Sequence, residues 1–239
     1  MSMLAVLLHS LQLAGAPPPF QVGERFEYVA KFGVLPVGSG AIEVASIDTV
    51  RGEAAYHFRF QLQAKAIFYK INSTLESWTS TDEFHSLRFR RDNLENSKRY
   101  VRAWEIFPDS GYHRQVQPEP MPAAPTPAEP LDDASFLFFV RTTPLEVGKT
   151  YNFERYFRPE RNPIVIKVVK RESMKLPDGS AVACLVLNPV IGEGGLFGAR
   201  AQARLWITDD ARRIPVQIKS RYSFGEVTLK LERITRTTP

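Results

Sequence analysis

Few side chains in this 239-residue chain could do chemistry, and their spacing matches no common catalytic or metal-binding pattern. None of the four histidines has another histidine, a cysteine or a carboxylate at the ligand spacing of a motif such as His-Glu-x-x-His. A Gly-x-Ser-x-Gly nucleophile motif is absent as well. We therefore expect no metal site, no cofactor and no enzymatic activity. The histidines are His9, His57, His85 and His113.

Asp209 and Asp210 are the most suggestive carboxylate pair, because neighbouring acids can bind a cation or exchange a proton. However, adjacent residues in a strand point in different directions, and aspartate is a common turn residue. Residues 208–215 are better explained as a hairpin connection, in which Arg212 or Arg213 balances the acidic charge.

The densest basic cluster is interleaved with aromatic residues, an arrangement that can hold single-stranded nucleic acid by charge and stacking. Export from the cytoplasm would exclude nucleic acid and leave phosphorylated lipid or glycan as the anionic partner. The alternative is the solvated face of two neighbouring strands. The basic patch that we predict comprises Arg88, Arg90, Arg99 and Arg102.

Residues 192–198 are rich in glycine, but they lack the Lys-Ser/Thr pair with which a P-loop contacts phosphate. We expect a mobile loop here. Its two large apolar residues, Leu196 and Phe197, could contact a membrane or cover a cavity.

Strands are the elements that must position these residues. The chain is 44% hydrophobic and 24% charged, a globular composition. Apolar and polar residues alternate along residues 56–65, as in a half-buried strand. Residues 164–169 are almost continuously apolar, as in a strand buried on both faces, and residues 176–179 predict a tight turn. Alternation recurs at residues 204–207, 214–218 and 227–231.

Only one segment predicts a helix. Asp132 or Asp133 can cap residues 134–141 by accepting hydrogen bonds from the first free backbone N–H groups. Pro144 then ends the helix. The proline-rich stretch before it, residues 117–130, predicts an extended linker or surface loop.

The segments on either side of this stretch resemble each other. Val22-Gly23 leads into a strand in the first half, and Val147-Gly148 does so in the second. Trp78 and Trp206 each precede a turn and a further alternating strand. We infer a duplicated β-meander of roughly six strands per half, whose two copies share a core.

The first sixteen residues are typical of a signal peptide. An apolar run over residues 4–13 is followed by the small residues Ala14-Gly15-Ala16, and the run is too short to cross a bilayer. No lysine or arginine precedes it, so a buried N-terminal helix or strand is the alternative. We expect a periplasmic or otherwise exported protein. The formal net charge of +5 is compatible with an anionic partner.

Several motifs resemble an exported bacterial family known only as a domain of unknown function. They are the Asp-x-x-Ser-x-Leu-x-x-x-Arg pattern and the Leu-Trp-Ile-Thr-Asp-Asp-x-x-Arg-Ile-Pro-Val pattern. The resemblance covers about residues 20–235 and implies no catalytic residues. By analogy of fold alone it is similar to the lipoprotein-carrier half-barrels, which hold acyl chains on a concave sheet. The motif residues, which we expect to be structural, are Asp132, Ser135, Arg141, Trp206, Asp209 and Asp210.

Together these patterns predict an all-β fold, a duplicated antiparallel sheet that forms a barrel-like or half-barrel domain with one central helix. Both repeats are expected to form one integrated domain. The expected segments are a signal peptide at 1–16, a first β-repeat at 17–116, a Pro-rich linker at 117–131, the helix at 132–143 and a second β-repeat at 144–236.

The function that we expect is the binding or carriage of an apolar or amphipathic envelope molecule, because curved sheets of about eight or more strands can enclose a ligand. The alternatives are a structural or adaptor protein of the envelope and an envelope hydrolase. Expected partners are a lipid, an envelope protein or a membrane surface, and no nucleic acid. The residues predicted to line a cavity are Phe58, Phe60, Leu62, Trp78, Leu205 and Ile207.

Overall fold

The computed structural model describes residues 17–66, 69–222 and 225–236, so the predicted signal peptide at residues 1–16 lies outside the described residues. Eight strands precede the α-helix and six follow it. The first eight are β1 Arg25–Phe32, β2 Leu35–Val50, β3 Glu53–Ala66, β4 Tyr69–Ser80, β5 Ser86–Glu95, β6 Lys98–Phe107, β7 Tyr112–Gln117 and β8 Ala124–Pro125. Helix α1 Ser135–Thr142 is followed by β9 Thr150–Phe153, β10 Ile164–Lys175, β11 Ala181–Ile191, β12 Arg204–Thr208, β13 Pro215–Tyr222 and β14 Gly225–Thr235.

All fourteen of these strands form one sheet in the order β8-β7-β6-β5-β4-β3-β2-β1-β14-β13-β12-β11-β10-β9. Every pair of neighbours is antiparallel, as expected of strands joined by hairpins. The all-β fold with one helix is thus confirmed. The alternating segments predicted from the sequence lie in β3, β12, β13 and β14, and the apolar run at residues 164–169 opens β10.

The predicted duplication is visible in matching hydrogen bonds. The Gly23 N–H donates to the Val44 carbonyl (2.8 Å), and the Gly148 N–H donates to the Val168 carbonyl (2.9 Å). Both valines lie on the second strand of their half, immediately before a β-bulge. Strands β1–β6 and β9–β14 are therefore two copies of one six-strand meander, and they join where β1 pairs with β14.

The two tryptophans that suggested the repeat occupy equivalent places. Trp78 on β4 donates its indole N–H to Asp48 on β2 (2.8 Å), and Trp206 on β12 donates to Glu172 on β10 (3.3 Å). In each half, the fourth strand is thus tied to the second by the same kind of hydrogen bond.

The sheet curls but does not close, because β8 and β9 at its two ends do not pair with each other. Residues 126–131, in the predicted linker, join the two ends instead. The Thr126 hydroxyl donates to the Phe157 carbonyl (2.8 Å), and the Phe157 N–H donates to the Leu131 carbonyl (2.8 Å). The proline-rich segment therefore completes a barrel-like shell.

Helix α1 lies inside this shell. Seven of its eight residues are buried, and it is apolar around most of its circumference, as expected of a helix enclosed by a core. The Phe138 ring stacks on Phe58 of β3 with the ring centroids 3.8 Å apart, while Phe139 packs edge-on against Phe153 of β9 (5.0 Å). Among the described residues, no helix has the length and hydropathy of a membrane-spanning segment.

Candidate functional site

The inner face of the sheet is where a curved β protein would hold an apolar ligand. Phe58, Phe60, Leu205 and Ile207, all predicted to line a cavity, lie on this face and are buried. Leu62 is half-buried at the margin of the same core. These side chains belong to one apolar cluster with Phe136, Leu137, Phe138, Phe139 and Val140 of α1, so the helix occupies the place predicted for a ligand.

The prediction that Trp78 lines the interior is wrong. Its cross-strand partner is His57, whose neighbour Phe58 points inward, so Trp78 lies on the outer face. There its ring stacks on the His57 ring, with centroids 4.4 Å apart. Alternation along β4 alone does not show which of its two faces lies inside, and only the register to β3 places Trp78 on the outer face.

The start of α1 is fixed by a reciprocal cap. The Asp132 carboxylate accepts hydrogen bonds from the backbone N–H groups of Ala134 (2.8 Å) and Ser135 (2.9 Å). In return, the Ser135 hydroxyl accepts a hydrogen bond from the Asp132 N–H (2.8 Å). This is the arrangement of a capping box, and it accounts for the Asp-x-x-Ser part of the family motif.

A group of buried hydroxyls surrounds this cap. The Ser77 hydroxyl donates to the Asp132 carboxylate (2.6 Å), and a 2.9 Å hydrogen bond joins it to the Thr79 hydroxyl. Ser86 and Ser135 share a further hydrogen bond of 3.0 Å. Burial raises the pKa of Asp132 to about 6, although the hydrogen bonds from Ser77 and the backbone oppose this rise.

Asp133 holds the other side of the helix start. Its carboxylate forms ion pairs with Arg91 of β5 and with Arg161, which lies 3.2 Å away. Burial raises the pKa of Asp133, but the two guanidinium groups outweigh it and hold the pKa below its usual value. Arg161 also donates to the Gly194 carbonyl (3.1 Å), and so connects the helix to the glycine-rich loop.

The end of α1 is held by a buried ion pair. Arg141 donates to Glu24 over 2.6 Å, and the two side chains are only 1% and 2% exposed. Its other terminal nitrogen, Nη2, donates to the carbonyls of Pro19 (2.8 Å) and Arg212 (3.1 Å). Arg141 therefore joins the first half, the helix and the second half, which explains the arginine of the motif.

The glycine-rich loop packs against the core. Phe197 is 3% exposed, and its ring lies edge-on to Phe136 of α1 (5.1 Å). The Ser220 hydroxyl donates to the Leu196 carbonyl (2.8 Å) and holds the loop against β13. Of the two alternatives for this loop, contact with a membrane or covering of a cavity, the burial of Phe197 excludes a membrane contact for that side chain, and its ring covers the helix start.

The carboxylates of Asp209 and Asp210 have separate partners. Asp209 accepts a hydrogen bond from Arg171 (2.6 Å), whereas Asp210 accepts from the Thr208 hydroxyl (2.7 Å) and the Arg212 side chain (2.6 Å). The two contacts of Asp210 lie within the turn between β12 and β13, and the contact of Asp209 connects this turn to β10. Trp206, the remaining motif residue, is buried beside this turn.

The four arginines of the predicted basic patch do not form one patch. Arg88, Arg90 and Arg99 pair with carboxylates on the outer face, while Arg102 is exposed on the opposite side of β6. Residues 99 and 103 point to the outer face of β6, so residue 102 points to the opposite face. Arg102 is therefore separated from the other three arginines. Their carboxylate partners are Glu105 for Arg88, Glu76 and Asp92 for Arg90, and Asp92 for Arg99.

Two depressions lie outside the apolar core. One of about 350 Å³ lies on the outer face and is lined by polar side chains that include Arg25, Gln61 and Gln63. The other, of about 360 Å³, lies beside Lys65 and Lys70 where β3 and β4 meet. Among the described residues, no cluster of three or more His, Cys, Asp or Glu side chains is placed to hold a metal ion.

Sequence reasoning missed several residues that fix the helix. Glu24 and Ser77 lie more than fifty residues from their partners, Arg141 and Asp132 at the two ends of α1, and the sequence carries no local sign of such contacts. Arg161 was also missed, since it lies in a single 3-10 turn, Pro159–Arg161, which is too short to show a periodicity. One signal was available in the sequence. An apolar helix is preceded by two aspartates and ends with an arginine, and charged side chains in a buried segment need polar partners elsewhere in the chain.

One solved structure agrees with this architecture. A crystal structure of a β-barrel-like protein of domain of unknown function DUF1849 from Brucella abortus superposes with a TM-score of 0.55 at 10% identity, covering 91% of this chain and 98% of that one. A candidate lipoprotein from Parabacteroides distasonis gives a TM-score of 0.32 at 8% identity, with 91% and 97% covered. No functionally curated protein matches the sequence. The model of the family described as protein of unknown function (DUF3108) matches residues 27–232, so the chain belongs to that family.

Proposed function

We propose that this protein is a non-catalytic scaffold of the bacterial cell envelope, which acts through its outer surface and keeps α1 as a permanent part of its core. The observation that carries the proposal is the anchoring of α1 at both ends inside the curled sheet. Asp132 and Asp133 hold its start, and Arg141 holds its end.

The carrier function expected from the sequence would require α1 to leave the inner face. That movement would break the Arg141–Glu24 pair and leave Glu24 buried with only the partly exposed Arg236 as a partner, which is unfavourable. It would also remove the Phe138 ring from Phe58. A fixed helix is therefore a better account of these contacts than a displaceable lid.

A non-catalytic role is supported by what the buried polar groups do. Asp132, Asp133 and Arg141 all lie inside the core, and each has hydrogen bonds that hold α1 in place. The location in the envelope is part of the proposal and depends on the signal-like sequence of residues 1–16.

Hydrogen exchange tests the fixed helix directly. The amides of Phe139 and Val140 should exchange as slowly as that of Leu205 in β12, because all three open only when the whole domain unfolds. Exchange of the helix amides through a much easier local opening would contradict the scaffold and support the carrier.

A binding assay provides the second test. Protein purified from its host should show the mass of the bare chain in native mass spectrometry, and it should not take up a fluorescent apolar probe. Phe138→Ala is the control variant, since it opens an apolar space beside Phe58 that can admit a probe. Stoichiometric lipid on the unaltered protein would overturn the proposal.

A further inference from the structure

We propose that the rim carrying the β1–β2 hairpin docks on an anionic membrane surface. The hairpin tip holds the two most exposed large apolar side chains among the described residues, Val34 at 87% and Leu35 at 63%. Such exposure is unusual for adjacent apolar residues of a folded domain, and it marks an interaction site.

The tip is held rigidly at the rim. Phe32 pairs with Leu35 across a two-residue turn, in which Gly33 adopts a positive φ of 59°. The Gly33 N–H donates to the Glu226 carbonyl of β14 (3.1 Å), which fixes the hairpin to its neighbour. Val34 and Leu35 are therefore presented to the solvent by an ordered backbone.

Exposed basic side chains flank this tip on both sides. Lys65 and Lys70 are cross-strand partners at the ends of β3 and β4, and they line one depression together with Val37 of the hairpin. On the other side, Arg221 of β13 pairs in register with Glu226 of β14, whose neighbour Val227 pairs with Phe32. None of these three basic residues forms an ion pair within the described part of the chain.

An apolar tip between unpaired cations complements an anionic lipid surface. The apolar side chains can enter the interface between headgroups and acyl chains, while the lysines and the arginine contact phosphate groups. An acidic protein partner would satisfy the charges but would not need two adjacent exposed apolar side chains at the tip. The inference depends on the proposed location in the envelope and is independent of the role of α1.

Vesicle co-sedimentation of the full chain tests this inference. The protein should bind phosphatidylcholine vesicles that contain phosphatidylglycerol, bind vesicles of phosphatidylcholine alone far more weakly, and be released by salt. The double variant V34D/L35D should bind at least roughly tenfold more weakly, since it loses the insertion of two apolar side chains. Removing two charges with K65Q/K70Q should weaken binding roughly fivefold per lysine.

Matched controls use the opposite end of the sheet. Ile47 lies near the far end of β2 and is 52% exposed, so Ile47→Asp should leave vesicle binding unchanged. The variant K175Q removes an exposed lysine at the end of β10, on the same far side as Ile47, and should also bind like the unaltered protein. Binding that is equal for both vesicle types, or that V34D/L35D does not reduce, would overturn the inference.

A label at the tip gives a readout that does not depend on variant affinity. A polarity-sensitive fluorophore on Val34→Cys should shift to shorter wavelength with anionic vesicles. The native Cys184 is buried, and burial raises the pKa of its thiol to about 12, so it should not compete for the label. No shift on vesicles, combined with crosslinking of the tip to an envelope protein, would replace the membrane with a protein partner and leave the scaffold proposal intact.

Discussion

The two halves of the molecule have the same arrangement of strands, but they differ in the inward-facing residues of their fourth strands. Next to the equivalent Trp78 and Trp206, the first half places Ser77 and Thr79 on the inner face, whereas the second half places Leu205 and Ile207 there. All four of these inner residues are fully buried.

The difference corresponds to the contacts that each half makes with the start of the helix. Ser77 and Thr79 form hydrogen bonds that reach the Asp132 carboxylate at the start of α1. Leu205 and Ile207 instead pack in the apolar core. A buried hydroxyl is favourable only where a partner is present, and the helix supplies that partner to the first half alone.

The outer faces differ in the same way. Opposite Trp78 lies His57, which also contacts Glu76 over 3.2 Å, whereas Val186 lies opposite Trp206. The indole hydrogen bond to the second strand is retained in both halves. The two halves therefore share the indole contact that joins the second and fourth strands and differ in the residues that face the helix or the solvent.

The largest effect is expected when the second half receives the buried serine of the first half at the equivalent position. Leu205→Ser should lower the free energy of unfolding by about 5 kcal/mol, because it leaves a cavity and a buried hydroxyl without a partner. Leu35→Ser, at an exposed position, is the control and should change stability by less than about 0.5 kcal/mol. Urea unfolding measures both. A cost below about 2 kcal/mol for Leu205→Ser would show that the second half tolerates a buried hydroxyl.

The clamp between the halves gives the next largest effect. Arg141→Met should lower the free energy of unfolding by about 4 kcal/mol, since Glu24 would remain buried with only the partly exposed Arg236 as a partner. Arg204→Met, at an exposed arginine, is the matched control. Adding Glu24→Gln to Arg141→Met should restore part of the loss. If the double variant is no more stable than Arg141→Met alone, the unpaired charge is not the cause.

The strands and the repeat could be predicted because their signal is local. Alternation along residues 56–65 defines β3, and a glycine after a valine marks the start of each half. The helix was equally predictable, since Asp132 and residues 134–141 form a recognisable start and apolar run. The fold class therefore follows from patterns that each span ten residues or fewer.

The candidate site could not be predicted, because its contacts join distant parts of the chain. The inward orientation of Phe58 and the outward orientation of Trp78 depend on strand register, which one strand does not reveal. The occupation of the inner face by α1 depends on Glu24 and Arg161, which no spacing rule connects to the helix. A curved sheet with an apolar inner face has the same sequence pattern whether a ligand or a segment of the chain itself covers that face.

The cap also predicts a dependence on pH. The pKa of Asp132 in the folded protein, about 6, lies above its ordinary value of 3.8, so the folded state binds this proton more tightly than the unfolded chain. The stability that it contributes is fully present below about pH 4 and is lost as the pH rises through about 6. We expect the difference in unfolding free energy between the unaltered protein and Asp132→Asn to change by up to roughly 3 kcal/mol over this range.

The control for this pH effect has the opposite sign. Hydrogen bonds from Ser180 lower the pKa of Asp178 in the exposed turn between β10 and β11, so its contribution is lost as the pH falls. The corresponding difference for Asp178→Asn should therefore slope in the other direction. A difference for Asp132→Asn that stays flat between about pH 4 and about pH 6 would show that the capping carboxylate titrates normally.

The indole hydrogen bonds that both halves share should have the smallest effect on stability. They also test most directly whether the two halves are equivalent in energy. Trp78→Phe and Trp206→Phe each remove one hydrogen bond from the fourth strand to a carboxylate on the second, so each should lower the free energy of unfolding by about 1 kcal/mol. Trp78→Phe should lower it slightly more, because the indole also stacks on His57. Adding His57→Val, which copies Val186 of the second half, should make the two indole contacts equal. If Trp206→Phe has no effect, the bond to Glu172 does not stabilise the second half, and the two copies are equivalent in geometry but not in energy.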